Sequence, residues 1–157
     1  MPPSIGAKAP NIVAYDIDKK PRSLNEFLGK KLVLAFFPGA FTGVCTKEMC
    51  ALRDSLSKLN TIGAQVVAVS VDAPAANKGF SEVNKLSFPV LSDYSREAVK
   101  QFGVLLNNFG GLKGLDVAKR SVFVLDKAGI VRYAWVSEDP GVEPPYDEVI
   151  KAVGSIN

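Results

Sequence analysis

The run Lys31-Leu32-Val33-Leu34-Ala35-Phe36-Phe37 constrains this chain more than any other stretch. It is apolar after its first residue and stops at Pro38-Gly39, the pattern of a strand buried on both faces. A second such run, Ala64 to Val71 (AQVVAVSV), follows a helical pattern. In that pattern Val44, Met49, Leu52, Leu56 and Leu59 recur at near-helical spacing from about Thr42 to Asn60, with Gly63 as a stop. Two doubly buried strands joined by a helix read as a right-handed parallel βαβ unit. Strands buried on both faces need helices on both sides of the sheet. A chain of 157 residues can supply them, since roughly 70% of the unfolded surface is buried at this size. One domain over 1–157 is expected.

The remaining segments fill in that frame. Asn11 to Tyr15 reads as a short strand. Ser23-Leu24-Asn25-Glu26 fits a capping box and predicts a short helix start. Asp72 is a candidate cap for a further helix, with Pro74 in its first turn and Phe80, Val83 and Leu86 as its apolar stripe. Phe88 to Leu91 reads as extended and Ser95 to Phe102 as a helix. Residues 105–119, rich in Gly and Asn, read as a loop, with the Gly-rich part 107–114 a flap or a partner surface. Ser121 to Asp126 and Ile130 to Val136 flank Lys127-Ala128-Gly129 as a hairpin, and a last helix follows Pro144-Pro145 from Tyr146 to about Val153. The predicted architecture is α/β, a mixed central sheet flanked by helices with an N-terminal extension, and it resembles a thioredoxin-like fold.

Composition narrows the chemistry. The chain has no His, which excludes imidazole general bases, Ser-His-Asp and Cys-His sites and His-ligated metals. Its two Cys cannot complete a four-ligand structural zinc site, so no metal is expected. A net charge of +3 from scattered basic residues makes no nucleic-acid footprint. The N-terminal residues lack a charged segment followed by an apolar one, and no run approaches a membrane span. The expectation is a cytoplasmic protein, where a close Cys pair is more often catalytic than structural.

Cys45 lies just after the turn that converts the buried strand into a helix, at or near the first helical turn. There it meets unpaired N–H groups and the positive end of the helix dipole. A free thiol titrates near ~8.5, so about 3% is thiolate at pH 7. A helix N-terminus supplies roughly 1 kcal/mol to an anion, and further stabilisation requires an Arg or Lys. Cys50 is five residues on. In an intact helix that spacing sets the Cα atoms about 8.6 Å apart and the side chains about 140° apart around the axis. A disulfide needs roughly 7 Å or less. The two thiols are either unrelated or a redox pair coupled to local unwinding. The spacing is not C-x-x-C, which argues against a thioredoxin-type reductase.

Pro38-Gly39-Ala40-Phe41-Thr42-Gly43-Val44-Cys45 fits P-x-x-x-T-x-x-C, and here the chain resembles the peroxiredoxins. Arg120, leading Ser121-Val122-Phe123-Val124-Leu125-Asp126, resembles the family's second signature. Cys45-Thr46-Lys47-Glu48-Met49-Cys50 is similar to the Q-type, bacterioferritin-comigratory-protein-like subgroup, although the turn Pro38-Gly39-Ala40-Phe41-Thr42 is worded more like other subgroups. The resemblance implies a thiol peroxidase for hydrogen peroxide and alkyl hydroperoxides, with Cys45 as peroxidatic nucleophile and Cys50 as resolving thiol. It further implies that Thr42 and Arg120 bind thiolate and peroxide oxygens, that Pro38 shapes and shields the loop, and that Phe41 contributes to the substrate pocket, with Phe37 and Trp135 as candidate lining. Glu48 would orient an Arg. No cofactor is implied. Electrons would come from a dithiol protein, thioredoxin or a protein disulfide oxidoreductase, to a monomer or homodimer.

Other readings of the same residues are a one-Cys peroxiredoxin with a structural Cys50, a thiol-disulfide reductase on the same fold, and a holdase-like binding protein with unreactive thiols.

Overall fold

The computed structural model describes residues 1–157. Its strands are β1 Val13–Tyr15, β2 Pro21–Ser23, β3 Lys31–Phe36, β4 Ala64–Ser70, β5 Val90–Ser92, β6 Leu105–Leu106, β7 Val117–Ala118, β8 Ser121–Leu125 and β9 Val131–Val136. Its helices are α1 Gly43–Thr61, α2 Pro74–Val83, α3 Glu97–Gln101 and α4 Tyr146–Gly154. Seven strands form one sheet in the order β2-β1-β5-β4-β3-β8-β9. The pairs β3–β4 and β4–β5 are parallel, whereas β8 pairs antiparallel with β3 and β9 antiparallel with β8. This is the mixed, thioredoxin-like α/β arrangement the two apolar runs require.

Alternation along β3 explains why that run has no polar face. Leu32, Leu34 and Phe36 enter one apolar cluster, with Phe102 of the α3 region and Phe123 of β8. Val33, Ala35 and Phe37 enter the other, with Met49, Leu52 and Leu59 of α1, Phe80 of α2 and Val149 and Val153 of α4. Each residue on β3 from Leu32 onward is fully buried. Period-2 alternation gives the strand two inside faces, and Cys45 joins the face that α1 covers.

The structure departs from the sequence reading at several places. The Ser23–Glu26 signal opens a single 3-10 turn, Leu24–Phe27, in which the Glu26 carboxylate accepts the Ser23 N–H at 2.7 Å. Before it, β2 was unexpected. Three residues with polar Arg22 and Ser23 carry no strand period, and pairing with β1 makes the strand. The helix expected over Ser95–Phe102 is five residues, because the buried Asp93 carboxylate accepts the N–H groups of Ala98 and Val99 and starts it late. Residues 105–119 are not wholly loop. Leu105–Leu106 pair with Val117–Ala118, and the Gly-rich part 107–114 forms the tip. That tip is built on left-handed Asn108, Gly110, Gly111 and Gly114, with Asn108 Oδ1 accepting the Gly114 N–H at 2.8 Å.

Asp72 is also reassigned. Ala73 occupies the N-cap of α2 without a side-chain cap. The Asp72 carboxylate instead accepts the Ala40 N–H and the Ser70 hydroxyl, both at 2.8 Å. Val83, expected in the apolar stripe of that helix, is 70% exposed, and the buried position is Phe80. The N-terminal extension is laced to the hairpin by Gly6 N–H to Val131 O, Val131 N–H to Ala7 O, and Ala9 N–H to Gly129 O. No helix is long and apolar enough to cross a membrane.

Candidate active site

β3 ends at Phe36 and delivers Phe37 and Pro38, both buried, to the turn before α1. The chain reverses through Phe41, which adopts a left-handed backbone (φ 64°) and packs edge-on to Phe80 at 5.4 Å between centroids. Thr42 then occupies the N-cap. This places Cys45 in the first turn of α1, where the N–H groups have no intrahelical acceptor. The Asp72 carboxylate, just past the end of β4, fixes the turn by its bond to Ala40.

Arg120 comes from the other side, at the entrance to β8. Its side chain is 2% exposed. Nη2 donates to Cys45 Sγ at 3.2 Å, and Nη1 donates to Glu48 Oε1 at 2.7 Å. The Pro140 carbonyl accepts from Nε at 3.2 Å and from Nη2 at 2.8 Å. One rigid guanidinium therefore faces thiol, carboxylate and backbone carbonyl at once. Burial opposes the charge on Arg120, but Cys45 and Glu48 together raise its ionisation above the ordinary range.

Glu48 lies one helical turn from Cys45 and has no exposed surface. Its Oε2 has no hydrogen-bond partner. Burial pushes its carboxyl up to about 7, Arg120 pulls it back, and Glu143 adds to the rise. Burial thus outweighs the 2.7 Å ion pair. Glu143 in turn accepts the Tyr146 hydroxyl at 2.8 Å, and burial, this bond and nearby Glu48 hold that phenol well above its usual range.

The structure thus brings Cys45, Arg120 and Glu48 into one hydrogen-bonded group. Thr42 stands beside it, but its hydroxyl donates to the Gly39 carbonyl at 2.8 Å rather than to the sulfur. Its own carbonyl accepts both the N–H and the hydroxyl of Thr46. Phe41 is 58% exposed at the rim. Phe37 stacks on Phe80 at 5.7 Å and Trp135 packs against the same cluster from β9, so both serve the packing around the site. Cys50 is half-buried and points elsewhere, toward Asn84 at 3.6 Å. Both thiols are free and α1 is continuous through them.

Sequence reasoning missed the Pro140 carbonyl, Asp72 as a turn anchor, and the Glu143–Tyr146 pair. A carbonyl carries no residue-type signal, and the other three lie far from Cys45 in the chain.

Residues 5–134 match the AhpC/TSA family. The chain is 41% identical to peroxiredoxin Q, chloroplastic, of Triticum aestivum over 132 residues, 84% of this chain and 58% of that protein. It is 37% identical over 151 residues to the Populus jackii protein of the same name, covering 96% of this chain and 68% of that one. The crystal structure of peroxidoxin BcpB from Mycobacterium tuberculosis superposes with a TM-score of 0.87 at 30% identity, covering 99% of both chains. The chain spans less than two thirds of the length of the cereal relatives it matches.

Proposed function

The chain belongs to the AhpC/TSA family, that of the peroxiredoxins, and from that premise we propose that it is a thiol-dependent peroxidase with Cys45 as nucleophile and Cys50 as resolving thiol. The observation that carries the reading is the 3.2 Å contact between Arg120 Nη2 and Cys45 Sγ at the start of α1. It supplies the cation that a chain without His needs beside a thiolate.

In the first step the Cys45 thiolate attacks the distal oxygen of a hydroperoxide. The S–O bond forms, the O–O bond breaks, and the alkoxide or hydroxide leaves with a proton as alcohol or water. Arg120 stabilises the sulfur anion before attack and the oxygen charge during it. The Thr42 oxygen, its proton given to Gly39, retains lone pairs to accept from the peroxide hydroxyl. Pro38 and Phe41 shape the entrance. Cys45 has no exposed surface, so substrate entry opens the turn at 41–44, the exposed end of the helix. Glu48 holds Arg120 in place through Nη1.

In the second step Cys50 attacks the Cys45 sulfenic sulfur. The S–S bond forms, the S–O bond breaks, and water leaves. A dithiol protein, of thioredoxin or protein disulfide oxidoreductase type, then reduces the disulfide and becomes oxidised itself. We read the whole chain as one domain working in the cytoplasm, where such dithiols are held reduced. The plant relatives are named chloroplastic.

The test is dithiol-dependent consumption of hydrogen peroxide, with a mass map of the cysteines after one equivalent. Cys45→Ser is expected to abolish turnover, and wild type to form a Cys45–Cys50 disulfide. Retained turnover in Cys45→Ser overturns the peroxidase reading, and a map with Cys45 sulfenate or sulfinate alone overturns the resolving role.

A further inference from the structure

The residue that faces the resolving thiol is Asn84. Cys50 lies about 140° around α1 from Cys45, and its Sγ donates to Asn84 Oδ1 at 3.6 Å. Asn84 is the C-cap residue of α2. Its Nδ2 donates to the Phe80 carbonyl at 3.0 Å, which turns Oδ1 toward the sulfur. Its backbone N–H goes to the same carbonyl at 3.1 Å, and its own carbonyl accepts Arg53 Nη1 at 2.6 Å. Phe80 is fully buried, so the amide is anchored to the core. Asn84 thus ties α2 to α1 through Cys50 on one side and Arg53, a turn further on, on the other.

We propose that Asn84 is a positioning residue that latches Cys50 into the folded helix and so sets the rate at which α1 opens for disulfide formation. The proposal rests on the peroxidase reading above. While α1 is intact, the two Cα atoms stand about 8.6 Å apart, beyond disulfide reach. Resolution therefore requires Cys50 to leave Asn84. Once it does, the Cys50 thiol gives up its proton and its sulfur bonds to the Cys45 sulfenic sulfur. The hydroxyl departs with that proton as water. A tight latch prolongs the sulfenic state and leaves Cys45 open to a second peroxide. A loose one shortens it.

Asn84→Ala removes both amide atoms and leaves the backbone bonds to Phe80 and Arg53. Arg53 is a poorer probe, because its charge also acts on Cys50. The experiment mixes reduced protein rapidly with one equivalent of hydrogen peroxide, quenches with acid, and counts sulfenate and disulfide by mass. Hydrogen exchange of residues 45–50 in the reduced protein is measured alongside. Asn84→Ala is expected to form sulfenate at the wild-type rate. Its disulfide formation and its amide exchange should rise together by roughly threefold to tenfold, the equivalent of one net hydrogen bond. Asn84→Asp, which keeps an acceptor for the thiol, is expected to resolve no faster than wild type. Disulfide formation in Asn84→Ala at or below the wild-type rate overturns the latch, and so does equal acceleration in both variants. Wild type that forms sulfenate without disulfide removes the resolving role itself, a failure distinct from an unaltered variant rate.

Discussion

At Glu48 a carboxyl with no exposed surface shares its one cation, Arg120, with Cys45. Burial raises Glu48 from 4.5 to about 7, with Arg120 opposing the rise and Glu143 adding to it. Because its pKa is higher in the folded than in the unfolded chain, the folded state binds more protons between these values. Stability therefore falls as pH rises from about 4.5 through about 7. Glu48→Gln removes the titration, so it should flatten this part of the profile. Denaturant melts at pH 5 and pH 8 check it. The gap between wild type and Glu48→Gln should move against wild type by on the order of 3 kcal/mol with rising pH. An unchanged gap would show that Glu48 stays ionised throughout.

At the scale of elements, α1 has two duties that conflict. Intact, it places Cys45 at its N-terminus against Arg120. Continuous from Gly43 to Thr61, it also keeps Cys50 out of disulfide reach. On the proposed mechanism, both duties are met only if the first turns melt after the sulfur is oxidised. Leu52 and Leu59 bury the later part of the helix against the sheet, so melting is confined to the N-terminal part. One equivalent of peroxide should therefore reduce the helical circular dichroism by about two turns of α1, and a dithiol should restore it. A disulfide formed with no change in dichroism contradicts this account.

At the scale of the whole molecule, the sheet separates the two apolar clusters. Cys45 belongs to one, whereas Phe36, Phe102 and Phe123 pack together in the other, with centroids 5.1–6.2 Å apart. Damage to the aromatic cluster should cost stability and spare chemistry. Phe123→Ala is expected to lose about 3–5 kcal/mol and on the order of 10 °C in Tm. Peroxide consumption measured well below the new Tm should be retained. Lost activity well below the lowered Tm, in a variant that still melts cooperatively, would mean that the two faces are coupled.

How far the sequence reached depends on the range of the interaction. The run Lys31–Phe37, the helical spacing from Val44 to Leu59 and the hairpin around Lys127-Ala128-Gly129 are local patterns, and the corresponding elements form where those patterns place them. The position of Cys45 at a helix start is local too. Five-residue spacing was enough to bar a disulfide within that helix. The short elements were not legible. β2 exists because β1 pairs with it, and β6 with β7 because each finds the other across a Gly-rich tip. At the site, Arg120 and Glu48 were candidate residues, but their contact across 72 positions of chain is a product of the sheet order. Asp72 offers the same oxygens to a helix cap or to a distant N–H, and the packed chain puts Ala40 in reach. Residue type and period thus determined the strands, the helix and the place of Cys45 on it. Tertiary structure alone decided which donor, acceptor and charge each side chain meets, because burial turns whatever lies within about 3 Å into its obligatory partner.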